Sequence, residues 1–258
     1  MLDLYTFSLP TIFLAAVAVV FAVSELGWHM GIRDHGRGSD NISTLESGIL
    51  GLLALLIGFT FAMSLSRFEA RRDAVLNEAN AIGTTALRAR LLPDPYRTES
   101  LKLLKQYVEI RVDIIASGGS LAQLNVAIDR SNAIQEALWV QAKALTVKDS
   151  SMVPTGLYIQ TLNEMIDDQA KRLSALRNRV PNVVLLGLFG IAAVASGFAG
   201  YASALSAKRL RWPVYILGML VCSVILLILD LDRPSSGFIT NNQQSMVDTA
   251  AMIAAFSD

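Results

Sequence analysis

The sequence is poor in the residues that soluble enzymes and nucleic-acid binders depend on. Its single cysteine, Cys222, lies in an apolar run, which excludes an intrachain disulfide and a thiolate metal site. Its two histidines, His29 and His35, stand six residues apart beside Asp34 in a Gly-rich loop. Without other ligand types nearby, that spacing is weak for a metal. Charged residues make up only 17%, against about 25% in soluble domains. The 22 basic and 22 acidic residues cancel, so nothing suggests nucleic acid as a partner. There is no Gly-rich phosphate loop, Ser-His-Asp set or HExxH motif, so neither an enzyme nor a cofactor is expected. The first ten residues, MLDLYTFSLP, contain no Lys or Arg. They lack the basic start of a cleavable signal peptide, and residues 1–27 read as a retained span.

What the chain has in quantity is long apolar runs, 53% of residues being hydrophobic. Four runs are long enough to cross a bilayer as helices: 9–26, 45–66, 181–205 and 213–231. Pro10 and Pro181 sit in first turns, where a missing N–H costs nothing. Tyr5 and Phe7 are placed as aromatic anchors at one face, Trp28, Trp212 and Tyr215 at the other. Span two continues without a Pro or Gly break into RFEARRDAVLNEANAI, and the helix can run on to Pro93. From Leu45 to Leu92 it is roughly 70 Å long, more than twice the bilayer core. Ser43 or Thr44 is positioned to cap its start.

Between spans two and three lie 114 residues, Arg67–Val180. Apolar residues recur there at three- and four-residue intervals. Leu101, Leu104, Val108, Val112 and Ile115 form one stripe; Leu121, Leu124, Ile128, Ile134, Leu138 and Leu145 form another. Tyr158, Leu162, Met165, Leu173, Leu176 and Val180 form a third, and Phe68, Val75, Ala79, Ile82 and Ala86 a fourth. Leu91–Pro95, Ser117–Ser120 and Asp149–Pro154 break them. Four such helices bury their stripes most economically as an antiparallel bundle, its first and last helices continuous with spans two and three. The fold class expected is thus an all-α membrane protein with a water-exposed bundle inserted over 67–180. Residues 232–258 form a tail with a short amphipathic helix carrying Met246, Val247, Ala250, Ile253 and Phe256, either at the interface or in the assembly.

An even number of spans puts the bundle and both ends on one side. Arg33, Arg37, Lys208, Arg209 and Arg211 in the two short loops favour a cytoplasmic place for those loops, hence an extracytoplasmic bundle. Arg67, Arg71, Arg72, Lys171, Arg172, Arg177 and Arg179 flank the membrane on the bundle side and argue the reverse.

Three constellations are candidates for function. Small residues line one face of span two (Gly48, Gly51, Gly58, Ala62, Ser66) and one of span three (Gly187, Gly190, Gly197, Gly200). They permit close helix approach, either inside one subunit or between subunits around an axis. A second face of span two reads Leu53, Ile57, Thr60, Ser64, Arg67, Arg71. It is either a polar vestibule leading to an apolar gate, or hydroxyls bonded to their own helix with interface arginines. At the exit of span four, Asp230, Asp232 and Arg233 reach the level of Arg177 and Arg179. They read as an ion-pair collar or as an ion-binding ring at a pore mouth. Pro234 and Gly237 let the chain turn there.

The span-two helix running into RFEARRDAVLNEANAIGTTALRARLLPDPYR, followed after span four by LDLDRPSSGFI, resembles the family of mainly bacterial membrane proteins called bestrophin-like. Its closing motif usually reads LDRPFSG; Ser235 stands here in place of Phe. The resemblance implies kinship to bestrophins, pentameric anion channels whose helical domains are cytoplasmic. No bestrophin-type pore signature is present. Two functions are carried forward, with the lipid bilayer and further copies of the chain as partners. One is an oligomeric channel for small ions, anions among them, with span two lining the pore. The other is a non-conducting sensor or scaffold whose bundle binds a ligand or protein.

Overall fold

The computed structural model describes residues 3–34, 40–116, 121–206, 210–234 and 237–256. His35, Arg37, Lys208, Arg209, Ser235 and the Ser117–Ser120 break lie outside them, as do the side chains of Ser43, Ile115 and Leu121. The described residues are helical, in the order α1 (Leu9–Arg33), α2 (Asp40–Ala89), α3 (Tyr96–Ala116), α4 (Leu121–Lys148), α5 (Leu157–Arg177), α6 (Asn182–Leu205), α7 (Trp212–Asp232) and α8 (Gln244–Ala254). Four helices are long and apolar enough to span a membrane: α1, α2, α6 and α7. This is an integral membrane protein.

The chain divides into two compact units, residues 1–68 with 179–240, and residues 69–178 with 241–258. The membrane unit is built on α1, α6 and α7. Ser8 caps α1 by accepting from the Thr11 N–H at 3.3 Å, with Pro10 in the first turn. The helix then runs through the stretch WHMGIR, expected from the sequence to begin the Gly-rich polar loop. Packing explains the difference. A Cβ at Gly27 would strike the Gly197 carbonyl, and one at Gly31 would lie 2.7 Å from the Tyr201 carbonyl oxygen. Gly200 in turn meets the Ser24 carbonyl. Bare backbone on both helices lets α1 and α6 touch directly, and that contact extends α1 to Arg33.

The second unit holds the rest of α2 with α3, α4, α5 and α8. Its core gathers Ala79, Ile82, Ala86, Leu104, Val108, Leu138, Leu145, Tyr158, Leu162 and Met165, drawn from all four sequence stripes. Met246 and Ile253 of α8 are buried in the same core, so the tail helix completes this unit instead of lying at a membrane interface. Val247 faces outward.

One expectation is corrected at the end of the bundle. α5 and α6 are not one helix: α5 stops at Arg177, Asn178 turns extended (ψ 112°), and α6 starts after Pro181. Proline disfavours a helical residue before it, so the chain straightens at the unit boundary. Val180 then belongs to the membrane core and not to the third stripe.

Candidate functional site

In α2 the two faces read from the sequence separate clearly. Leu53, Thr60, Ser64 and Arg71 are buried in the chain, while Ile57 and Arg67 are half-buried. Most of the face considered for pore lining is therefore covered within the chain itself. The Thr60 hydroxyl donates to the Leu56 carbonyl of its own helix (2.7 Å). The opposite face is open. Among the described residues, nothing lies within 4 Å of an added Cβ at Gly48, Gly51 or Gly58, and Ala62 is exposed beside them. Leu52, Leu55 and Phe59 share this open side, Phe59 at 67% exposure. In α6 the small residues divide likewise. Gly197 and Gly200 pack on α1, whereas Gly187 and Gly190 meet nothing.

The end of α7 is a knot of polar bonds around two carboxylates. Asp232, fully buried, accepts the Val180 N–H at 2.8 Å and bonds the Tyr5 hydroxyl. Arg67 Nη1 lies 3.7 Å from its other oxygen. The Tyr5 hydroxyl is also 3.0 Å from the Val180 carbonyl, and the Arg179 guanidinium stacks 4.8 Å above the Tyr5 ring. Burial first, and the bond to Asp232 next, push the Tyr5 hydroxyl above its ordinary pKa. Arg233 donates to the carbonyls of Leu4 (3.2 Å) and Phe7 (2.6 Å), tying the start of the chain to the end of α7. Asp230 pairs with no arginine at hydrogen-bond distance among the described residues. It accepts from the Phe238 and Ile239 N–H groups at 2.8 and 3.1 Å. A Cβ at Gly237 would overlap the Asp230 carboxylate, so a side chain there would have to displace it. Arg177 is exposed at the end of α5. The collar thus reduces to Asp232 with Arg67, and Arg179 serves the Tyr5 ring.

The bundle holds a second polar centre that the sequence reading passed over. Glu78, fully buried, faces two arginines. Arg111 Nε is 2.8 Å from Oε1, its Nη2 3.1 Å from Oε2, and Arg172 Nη1 2.6 Å from Oε2. The Tyr107 hydroxyl donates to Glu78 (3.1 Å) and accepts from Gln135 (3.3 Å), with Gln169 Oε1 2.9 Å away. Gln135 bonds Gln169, which donates to Asn132 at 3.2 Å; Arg172 also donates to Gln243 at 3.1 Å. Burial, reinforced by the Glu78 charge, holds the Tyr107 hydroxyl above its ordinary pKa. Burial draws the Arg172 guanidinium down, against the opposing pull of Glu78. The signal was there to read. Glu78 stands between Val75 and Ile82, Arg111 at the spacing of Leu104 and Val108, and Gln169 and Arg172 continue Leu162 and Met165. Each is a polar residue at an apolar stripe position, where a buried polar group must find a partner. Among the described residues no group of His, Cys, Asp and Glu could hold a metal.

Comparison with known proteins agrees with this architecture. A family model described as "Bestrophin-like domain" matches residues 11–245. No curated protein matches the sequence. Among solved structures, a bacterial bestrophin homologue from Klebsiella pneumoniae superposes with a TM-score of 0.63 at 16% identity, over 93% of this chain and 98% of that one. A single-residue variant of it gives 0.68 at 14% identity, over 95% and 97%. A structure described only as a membrane protein gives 0.64 at 16%, over 95% and 96%. At such identities the likeness is one of fold. With the family model covering nearly the whole chain, four spanning helices and an inserted bundle, the protein belongs to the bestrophin-like family.

Proposed function

We propose that the chain assembles into a homo-oligomer in the bilayer and conducts small ions along its axis, with α2 lining the path. The observation that carries this is the open face of α2. Gly51 and Gly58 leave helix backbone bare, with nothing among the described residues within 4 Å of an added Cβ. A bare helix face in lipid favours a neighbouring helix, and copies of α2 around an axis supply one. Leu55 and Phe59 beside the glycines provide an apolar constriction, the form taken by hydrophobic gates. The lining is assigned to this face, while Leu53, Thr60 and Ser64 hold the subunit together. Family membership supports the same reading and makes anions the first ions to test.

We take the bundle to be cytoplasmic. Arg67, Arg71, Arg72, Lys171, Arg177 and Arg179 near the spans on its side support this reading, as does the family kinship, while the five basic residues of the short loops favour the other side.

Ion flux from purified protein in liposomes tests the proposal. Flux that is cut or altered by Gly58→Leu is the expected result. A wild-type protein with no leak, unchanged by the substitution, overturns it and leaves the scaffold.

A further inference from the structure

The Glu78 centre carries two cations to one anion, all buried to 6% exposure or less. An uncompensated guanidinium in a bundle interior is costly, and arginine cannot shed its proton to escape. Two donors near it are also unused. Arg111 Nη1 and the Ser131 hydroxyl are both buried and have no hydrogen-bond partner among the described residues. Helix register brings their positions together. Tyr107 of α3 bonds Gln135 of α4, and the two helices pack antiparallel. One turn along α3 from Tyr107 is Arg111; one turn back along α4 from Gln135 is Ser131. Both lie on the inner faces of their helices, at one level, with Arg172 Nε also unpartnered and buried.

We propose that a small monovalent anion of halide type binds inside the bundle between Arg111 and Ser131, completing the charge of the Glu78 centre. A water molecule would satisfy the two donors but leave the positive charge, so an anion is the better occupant. The site is separate from the α2 path and does not depend on conduction.

The test uses the full chain in detergent, melted in sodium chloride replacing sodium gluconate at constant ionic strength and pH. Expected is a saturable rise in Tm of a few degrees with chloride. Ser131→Ala moves the half-point to roughly tenfold more chloride, the loss of one hydrogen bond to a charged group. Arg111→Gln, which removes the excess cation, abolishes the response. Equal Tm in chloride and gluconate overturns the proposal in favour of water. A wild-type response in both variants overturns it in favour of binding elsewhere. Should Arg111→Gln not fold, anomalous scattering from bromide-soaked wild-type crystals decides: a peak between Arg111 and Ser131 upholds the site, and none refutes it. Because the readout is stability, a failure here is distinct from a failure of ion flux.

Discussion

Arg111 pairs with Glu78, its Nη2 donating to Oε2 at 3.1 Å and its Nε lying 2.8 Å from Oε1, inside a bundle that hides both residues from solvent. Because Arg172 holds the same carboxylate, the two ends of this pair are unequal. Glu78→Gln strands two buried guanidinium groups and is expected to cost about 3–5 kcal/mol. Arg111→Gln leaves Glu78 with Arg172 and should cost clearly less. Thermal or denaturant unfolding of the two variants measures the difference, and equal losses would contradict the arrangement.

Asp232 and Tyr5 join the two ends of the membrane unit. A double-mutant cycle with Tyr5→Phe and Asp232→Asn should show a coupling of about 1–2 kcal/mol. Additive effects would mean that the hydroxyl is not bonded to the carboxylate.

The glycines of α6 give a paired comparison. Gly200→Ala drives a Cβ into the Ser24 carbonyl and should destabilise the protein by about 1–3 kcal/mol or more. Gly190→Ala, with nothing within 4 Å, should change the stability of the subunit by less than about 0.5 kcal/mol. Melting both variants alongside wild type is sufficient.

Tyr107 makes the bundle sensitive to alkali. Its hydroxyl is held above its ordinary pKa, whereas an unfolded tyrosine ionises near pH 10. Above that pH the folded state binds more protons than the unfolded one. Its contribution is therefore complete below about pH 10 and is lost as pH rises beyond it. Tyr107→Phe should flatten the fall of Tm between about pH 9.5 and 11, leaving a smaller slope from Tyr158, which burial raises as well. An unchanged slope would rule out Tyr107 as the cause.

The side of the bundle is open to direct labelling. Val147, 88% exposed near the end of α4, is a site for Val147→Cys in a Cys222→Ala background. A membrane-impermeant maleimide should label it in inside-out vesicles and not in intact spheroplasts. The reverse pattern would place the bundle outside.

Much of this molecule can be read from one line of letters because lipid tolerates few alternatives. Four runs of about twenty apolar residues had to be helices, since a bilayer core leaves no other partner for backbone N–H and C=O groups. The bundle stripes likewise foretold Leu104, Leu138, Tyr158 and Met165 as core, because helical period sorts residues onto faces whatever they face. The break at Pro93–Pro95 followed from proline chemistry in the same way. Pro181 carried that signal too, and it outweighed the apparent run of α5 into span three.

Other features depended on what each face meets, which period alone does not contain. Gly31 looked like a loop residue until α6 came against it, and Gly58 looked like Gly200 until only one of them found a neighbour. Thr60 and Ser64 were polar residues on a spanning helix, and packing turned them inward. Glu78, Arg111 and Arg172 stand 33 and 61 positions apart in sequence, so only the folded bundle makes them a charge centre. Sequence by itself determined which stretches are helices, through local period and the demands of lipid. The tertiary structure decided which helix faces are shared, because burial and charge pairing arise between segments that the chain order keeps apart.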